Sequence, residues 1–147
     1  MVRQRLERDA ARAPLPLPTP DRKACKALLV EDDPNERELL AGFLRLSGFD
    51  VDTAGDGCDA LDHLRAGDQP DVVLLDMGLP RCDGATTARE IRRNPACAGL
   101  KIFAVTGHSP NEYDLDQGPG GIDRWFSKPI DPVVLLRELT QELRSAL

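Results

Sequence analysis

From Lys26 onward, short apolar runs alternate with segments in which apolar residues recur every three or four positions. Ala27-Leu28-Leu29-Val30, Phe49 to Thr53, Val72-Val73-Leu74-Leu75, Lys101 to Val105 and Asp123 to Ser127 read as strands. The run at Val72 is uninterrupted and partly β-branched, the mark of a strand buried on both faces. The segments between them read as helices. Asn35 to Leu46 places Leu40, Phe43 and Leu44 on one face and stops at Gly48. Asp56 to Ala66 turns Ala60, Leu61 and Leu64 inward. Asp83 and Gly84 open a helix that runs to about Arg93 and ends at Asn94-Pro95. Ser109-Pro110 starts a fourth helix, which Gly118-Pro119-Gly120-Gly121 keeps short. Asp131-Pro132 supplies cap and first-turn chemistry for the last helix, with Leu136, Leu139 and Leu143 as its apolar stripe. Five strands and five helices in alternation predict an α/β fold: a doubly wound parallel sheet with right-handed crossovers and helices on both faces.

Residues 1–23 break the pattern. Met1 to Arg12 is Arg-rich and compatible with a short helix. Pro14, Pro16, Pro18 and Pro20 then favour extended polyproline II. This part reads as a tail or linker, with the domain proper at 24–147. A chain of 147 residues with 41% hydrophobic and 30% charged content fits one globular domain. The formal charge of -6 argues against nucleic acid as a direct ligand. No segment has the length of a membrane span, and the Arg-rich start lacks the apolar core of a secretory signal, so a cytoplasmic location is expected. Cys25, Cys58, Cys82 and Cys97 are scattered without a C-x-x-C pair. They read as small packing residues or free thiols, not as a metal site or disulfide framework.

The chemistry sits where strands end. The Val72 run ends in Asp76, the first strand in Glu31-Asp32-Asp33-Pro34, the fourth in Thr106-Gly107 and the fifth in Lys128-Pro129. In a parallel sheet these four groups meet at the carboxyl edge, where open α/β folds place their sites. Clustered carboxylates repel unless a cation lies among them. Oxygen ligands with room for water suit Mg²⁺, and a Lys and a Thr nearby would hold the oxygens of a phosphoryl group.

These residues resemble a known family. Glu31-Asp32, the box Asp76-Met77-x-Leu79-Pro80-x-x-Asp83-Gly84, Thr106 and Lys128-Pro129 match, in order and spacing, the response-regulator receiver domain of two-component signalling. The resemblance implies a flavodoxin-like sheet in the order 2-1-3-4-5 with five helices. It also implies the roles. Asp76 would be the phosphoacceptor, taking its phosphoryl group from a histidine kinase, a histidine phosphotransfer protein or a small phosphodonor. Glu31, Asp32 and Asp76, with the Gly78 carbonyl, would bind Mg²⁺. Lys128 and Thr106 would contact the phosphoryl group, and the Lys128-Pro129 bond would be cis. Trp125 takes the place of the family's switch aromatic, more often Tyr, Phe or His. Its expected role is to rotate into space vacated by Thr106; the alternative is an amphipathic surface ring with no part in switching. Gly78 and His108 occupy positions that influence acyl-phosphate lifetime. Cys82 stands where Met is common, with packing as its expected role.

Three other readings compete. Gly55-x-Gly57-x-x-Ala60 matches a dinucleotide-binding pattern but follows the second strand, where a turn and helix start explain both glycines. A haloacid-dehalogenase-like phosphatase needs an Asp where Gly78 stands. A phosphorylation-independent receiver-like scaffold is the alternative for a degenerate member, but this chain keeps the acidic pair, Asp76 and Lys128. The resemblance implies no turnover enzyme beyond self-phosphorylation and autodephosphorylation, and a monomer or weak dimer. Taken as a free-standing receiver, its output would be a protein contact on the face of the fourth helix, fifth strand and fifth helix.

Overall fold

The computed structural model describes residues 24–67, 69–79, 82–107 and 121–146. The elements are β1 (Lys26–Val30), α1 (Pro34–Leu46), β2 (Asp50–Ala54), α2 (Gly57–Ala66), β3 (Val72–Asp76), α3 (Gly84–Arg93), β4 (Lys101–Thr106), β5 (Arg124–Ser127) and α4 (Pro132–Ala146), with a 3₁₀ turn at Pro95–Cys97. The strands form one parallel sheet in the order β2-β1-β3-β4-β5. β3 lies in the middle and all five of its residues are buried, as its uninterrupted apolar run requires.

Two apolar layers flank the sheet. One packs Leu28, Val30, Val73, Leu75, Ile102 and Ala104 against Ala60 and Leu64 of α2 and Ala88 and Ile91 of α3. The other packs Ala27, Leu29, Val72, Leu74 and Phe103 against Ala41 and Leu44 of α1 and Leu135, Leu139 and Leu143 of α4. Alternate strand residues therefore serve opposite layers, as the pleat dictates. In α4 the buried stripe runs through Leu135; the expected Leu136 only packs at its edge.

Each helix starts at the carboxyl edge with an aspartate cap. Asp33 Oδ1 accepts from the Asn35 N–H (2.8 Å), Asp56 from Asp59 (2.8 Å), Asp83 from Thr86 (2.8 Å) and Asp131 from Val133 (2.9 Å). Each carboxylate satisfies an otherwise orphaned amide and lies at the positive end of the helix dipole. Below the sheet, Arg92 donates to the Leu100 carbonyl (2.8 Å) and the Gly121 carbonyl (2.8 Å) and pairs with buried Asp123 (2.9 Å), which accepts from the Ile102 N–H (2.8 Å). This network fixes the entry into β5.

The free-thiol reading holds for Cys25 and Cys97 and fails for the other two: Cys58 and Cys82 form a disulfide, with Cα atoms 5.6 Å apart. Docking α2 against the loop after β3 juxtaposes residues 24 positions apart, a proximity that spacing alone does not reveal. The expected tail at 1–23, the fourth helix from Ser109-Pro110, His108 and Pro80 lie outside the described residues.

Candidate functional site

Parallel pairing aligns the strand ends. Val30 of β1 lies opposite Leu75 of β3, and Asp76 lies opposite Val105 of β4. Thr106 lies opposite Ser127 of β5. The residues that follow, Glu31 after β1 and Lys128 after β5, thus arrive on the same side as Asp76.

Asp76 is 4% exposed. Its Oδ1 accepts from the Gly78 N–H (2.9 Å), and its Oδ2 lies 3.1 Å from Lys128 Nζ. Lys128 also reaches Glu31 Oε2 at 3.7 Å. Glu31, Asp32 and Asp76 each offer a carboxylate oxygen, and these lie within 4.8 Å of one another. Burial, followed by the hydrogen bond and charge of Asp76, pushes the Glu31 carboxyl up to about 8, against the smaller opposing pulls of the Asp33 amide and Lys128. Burial works to lower Lys128, but the hydrogen bond and charge of Asp76, with Glu31 and Glu36 behind it, leave it raised. One lysine does not neutralise three carboxylates. Oxygen-only donors with this surplus of negative charge suit a hard divalent cation.

The backbone around Asp76 is held from behind. The Met77 N–H donates to the Val105 carbonyl (2.9 Å) and the Lys128 N–H to the Thr106 carbonyl (2.9 Å). Thr106 is 3% exposed. Lys128-Pro129 is a cis peptide bond. Trp125 lies opposite Ala104, two residues before Thr106, so its ring and the Thr106 side chain leave the sheet on the same face; the ring is partly buried against that layer.

Several contributors owe their role to contacts that the sequence does not show. Gly84 is required by contact: a β-carbon there would lie 2.5 Å from Met77 Cα and 2.9 Å from the Asp76 carbonyl oxygen. Gly57, part of the dinucleotide-like decoy, has a similar cause, since a β-carbon would overlap the Thr87 hydroxyl and the Cys82 carbonyl. Arg37 donates to the Glu31 carbonyl (2.9 Å) and anchors the acidic turn. The site opens into a cavity of about 660 Å³ whose outer wall is apolar, formed by Leu39, Leu40, Pro129, Ile130 and Pro132. Leu39 is 76% exposed there. No local sequence signal marks that wall, because its residues come from α1 and from the turn after β5.

The model of the response regulator receiver domain matches residues 27–140. The chain belongs to that family and is a receiver domain of two-component signalling. It is 32% identical over 111 residues to Protein Rrf1 of Nitratidesulfovibrio vulgaris, an alignment spanning 76% of this chain and 77% of that one. It is 29% identical over 119 residues to RpaA of Synechocystis, a DNA-binding dual master transcriptional regulator, spanning 81% of this chain but only 49% of that protein. The chain thus covers about half the length of RpaA. Among solved structures, the chemotaxis response regulator CheY4 of Vibrio cholerae superposes with a TM-score of 0.73 at 26% identity, covering 81% of this chain and 98% of that one. Among the described residues, no helix is long and apolar enough to cross a membrane.

Proposed function

We propose that Asp76 accepts a phosphoryl group from a phosphohistidine of a sensor kinase or phosphotransfer protein, and that the resulting charge change switches a protein-binding face. The observation that carries this is the buried Asp76 carboxylate, with one oxygen tied to the Gly78 amide and the other facing Lys128 Nζ at 3.1 Å. One carboxylate oxygen attacks phosphorus. The bond from phosphorus to the imidazole nitrogen breaks, its electron pair stays on the ring, and Asp76 becomes an acyl phosphate. Lys128 moves its charge from carboxylate to phosphoryl oxygens, and the Thr106 hydroxyl donates to them.

Glu31, Asp32 and Asp76, together with the Gly78 carbonyl, would hold Mg²⁺, and the crowding that keeps Glu31 protonated up to about pH 8 supports that fit. Bound there, Mg²⁺ supplies positive charge against the phosphoryl oxygens. Gly78 itself contributes no side chain to screen Asp76 from an attacking water.

In this reading β5 and α4 contribute to the output face. Arg124 of β5 pairs with Glu142 (2.8 Å) of α4, so the two elements move together. Movement of Thr106 toward the phosphoryl group vacates space on the sheet face that Trp125 shares, which links the two sites. Downstream protein targets, a cytoplasmic location and the monomeric or weakly dimeric state belong to the same reading, and a sensor kinase or phosphotransfer protein is the natural upstream partner.

The test is intact mass after incubation with Mg²⁺ and acetyl phosphate. One added phosphoryl group in the wild type, dependent on Mg²⁺ and absent from Asp76→Asn, is the expected result. An adduct retained in Asp76→Asn would assign the acceptor elsewhere. No adduct from either acetyl phosphate or a phosphorylated donor protein would favour a phosphorylation-independent scaffold.

A further inference from the structure

We propose that Cys58 and Cys82 are a reversible redox pair that sets the rigidity of the Asp76 loop and, through it, the rate of phosphoryl uptake; the second half rests on Asp76 being the acceptor. The disulfide joins the first turn of α2 to the loop that begins at Asp76, six residues before Cys82. That loop carries Gly78, whose N–H binds Asp76 Oδ1, and ends in Asp83, which caps α3.

Two observations make the bond a restraint on this loop. Cys82 has φ 45°, a left-handed conformation that a residue with a side chain adopts only when held there. It is held from one side by the Thr87 hydroxyl, which donates to its carbonyl (2.9 Å), and from the other by the disulfide. Gly57 then brings the α2 backbone directly against that carbonyl and hydroxyl, so opening the bond loosens both segments. The pair is not a substitute for a core, since apolar layers cover both faces of the sheet. Both half-cystines are partly exposed residues, whereas Cys97 is 1% exposed and Cys25 sits at the opposite edge, beside the start of β1.

The exchange partner is a low-molecular-weight disulfide such as oxidised glutathione. One protein thiolate attacks it, forming a mixed disulfide and releasing one small thiol. The second protein thiolate attacks the protein sulfur of that mixed disulfide and releases the other. The two protein thiols lose two electrons and two protons, and the small disulfide gains them as two thiols. Excess reduced thiol runs the steps backward.

The experiment equilibrates the native protein across ratios of reduced to oxidised glutathione, from both directions. Thiols are then counted by alkylation under denaturing conditions and intact mass. Two thiols at the oxidising end, four at the reducing end and superimposable titrations are expected. Four thiols at every ratio, or a bond that excess reduced glutathione does not open, would overturn the pair. Amide exchange across 76–84 should be about tenfold faster in the reduced form, with phosphoryl uptake from acetyl phosphate at least about threefold slower. Cys58→Ser should behave as the reduced form at every ratio, while Cys97→Ser keeps the response. Equal exchange and equal uptake in the two forms would overturn the regulatory role. If neither form gains phosphoryl mass from acetyl phosphate or from a phosphorylated donor protein, the acceptor reading fails, and the pair is judged on thiol count and exchange alone.

Discussion

Gly84 and Met77 touch backbone to backbone: a β-carbon on Gly84 would lie 2.5 Å from Met77 Cα. The first turn of α3 is thereby seated directly behind Asp76. Gly84→Ala should push Met77 away and cost about 1–3 kcal/mol in urea unfolding, together with a loss of phosphoryl uptake. Gly42→Ala is the contrast. Gly42 lies within α1 with nothing near its β-carbon position, and its replacement should stabilise by about 0.5–1 kcal/mol.

Lys128 Nζ lies 3.1 Å from the Asp76 carboxylate, with Glu31 also within its reach. Removing a donor poised over developing negative charge typically costs about 10²–10³ in rate. Lys128→Ala should slow uptake from acetyl phosphate by that order while leaving Mg²⁺ binding intact or tighter, as followed by intact mass and calorimetry. An uptake rate equal to wild type would remove Lys128 from the reaction.

The Glu31 carboxyl is raised from 4.5 to about 8 in the folded, metal-free chain. Between those values the folded state holds a proton that the unfolded chain has lost. Its contribution to stability is therefore complete below about pH 4.5 and is lost as pH rises toward 8. Unfolding midpoints without metal should fall over that window, and Glu31→Gln should flatten the slope. Mg²⁺ must displace the same proton, so its apparent affinity should rise with pH up to about 8, with proton release visible as buffer-dependent heat.

Leu39 stands 76% exposed on the apolar wall of the site cavity, beside Leu40 and Ile130. A protein donor reaching Asp76 must cover this wall, whereas acetyl phosphate need not. Leu39→Asp should lower transfer from a phosphorylated donor protein by about tenfold or more and leave acetyl phosphate uptake unchanged. Equal loss with both donors would mean that the substitution disturbs the site itself.

Trp125 is the single tryptophan of the chain, and its ring shares a sheet face with Thr106. Beryllofluoride with Mg²⁺ should change its emission in the wild type and leave it unchanged in Asp76→Asn. An identical spectrum in the wild type would make Trp125 a surface ring with no part in switching.

Patterns that repeat within one element are legible in the amino-acid sequence alone. Val72 to Leu75 reads as a strand covered on both faces, and Asp83 and Asp131 mark their helices as caps. The α4 stripe is only half legible. Leu135 and Leu136 stand four and three residues before Leu139, so both satisfy a helical repeat. Docking on the sheet buries Leu135 and leaves Leu136 at the edge. Gly57 and Gly84 are visible as glycines but not as contacts, because the atoms that exclude a β-carbon belong to other elements.

Which groups stand at the strand ends can be read along the chain: Glu31 and Asp32, Asp76, Thr106 and Lys128. That information is local, since a strand delivers its last residue wherever its apolar run stops. Which atoms meet follows from packing. Parallel register sets Lys128 on one Asp76 oxygen and Gly78 on the other, and crowding with Asp76 holds the proton on Glu31. Helix docking closes Cys58 on Cys82 and raises the apolar wall around Leu39. Those relations join residues far apart in the chain, and spacing along a chain places no bound on such distances until the core has packed.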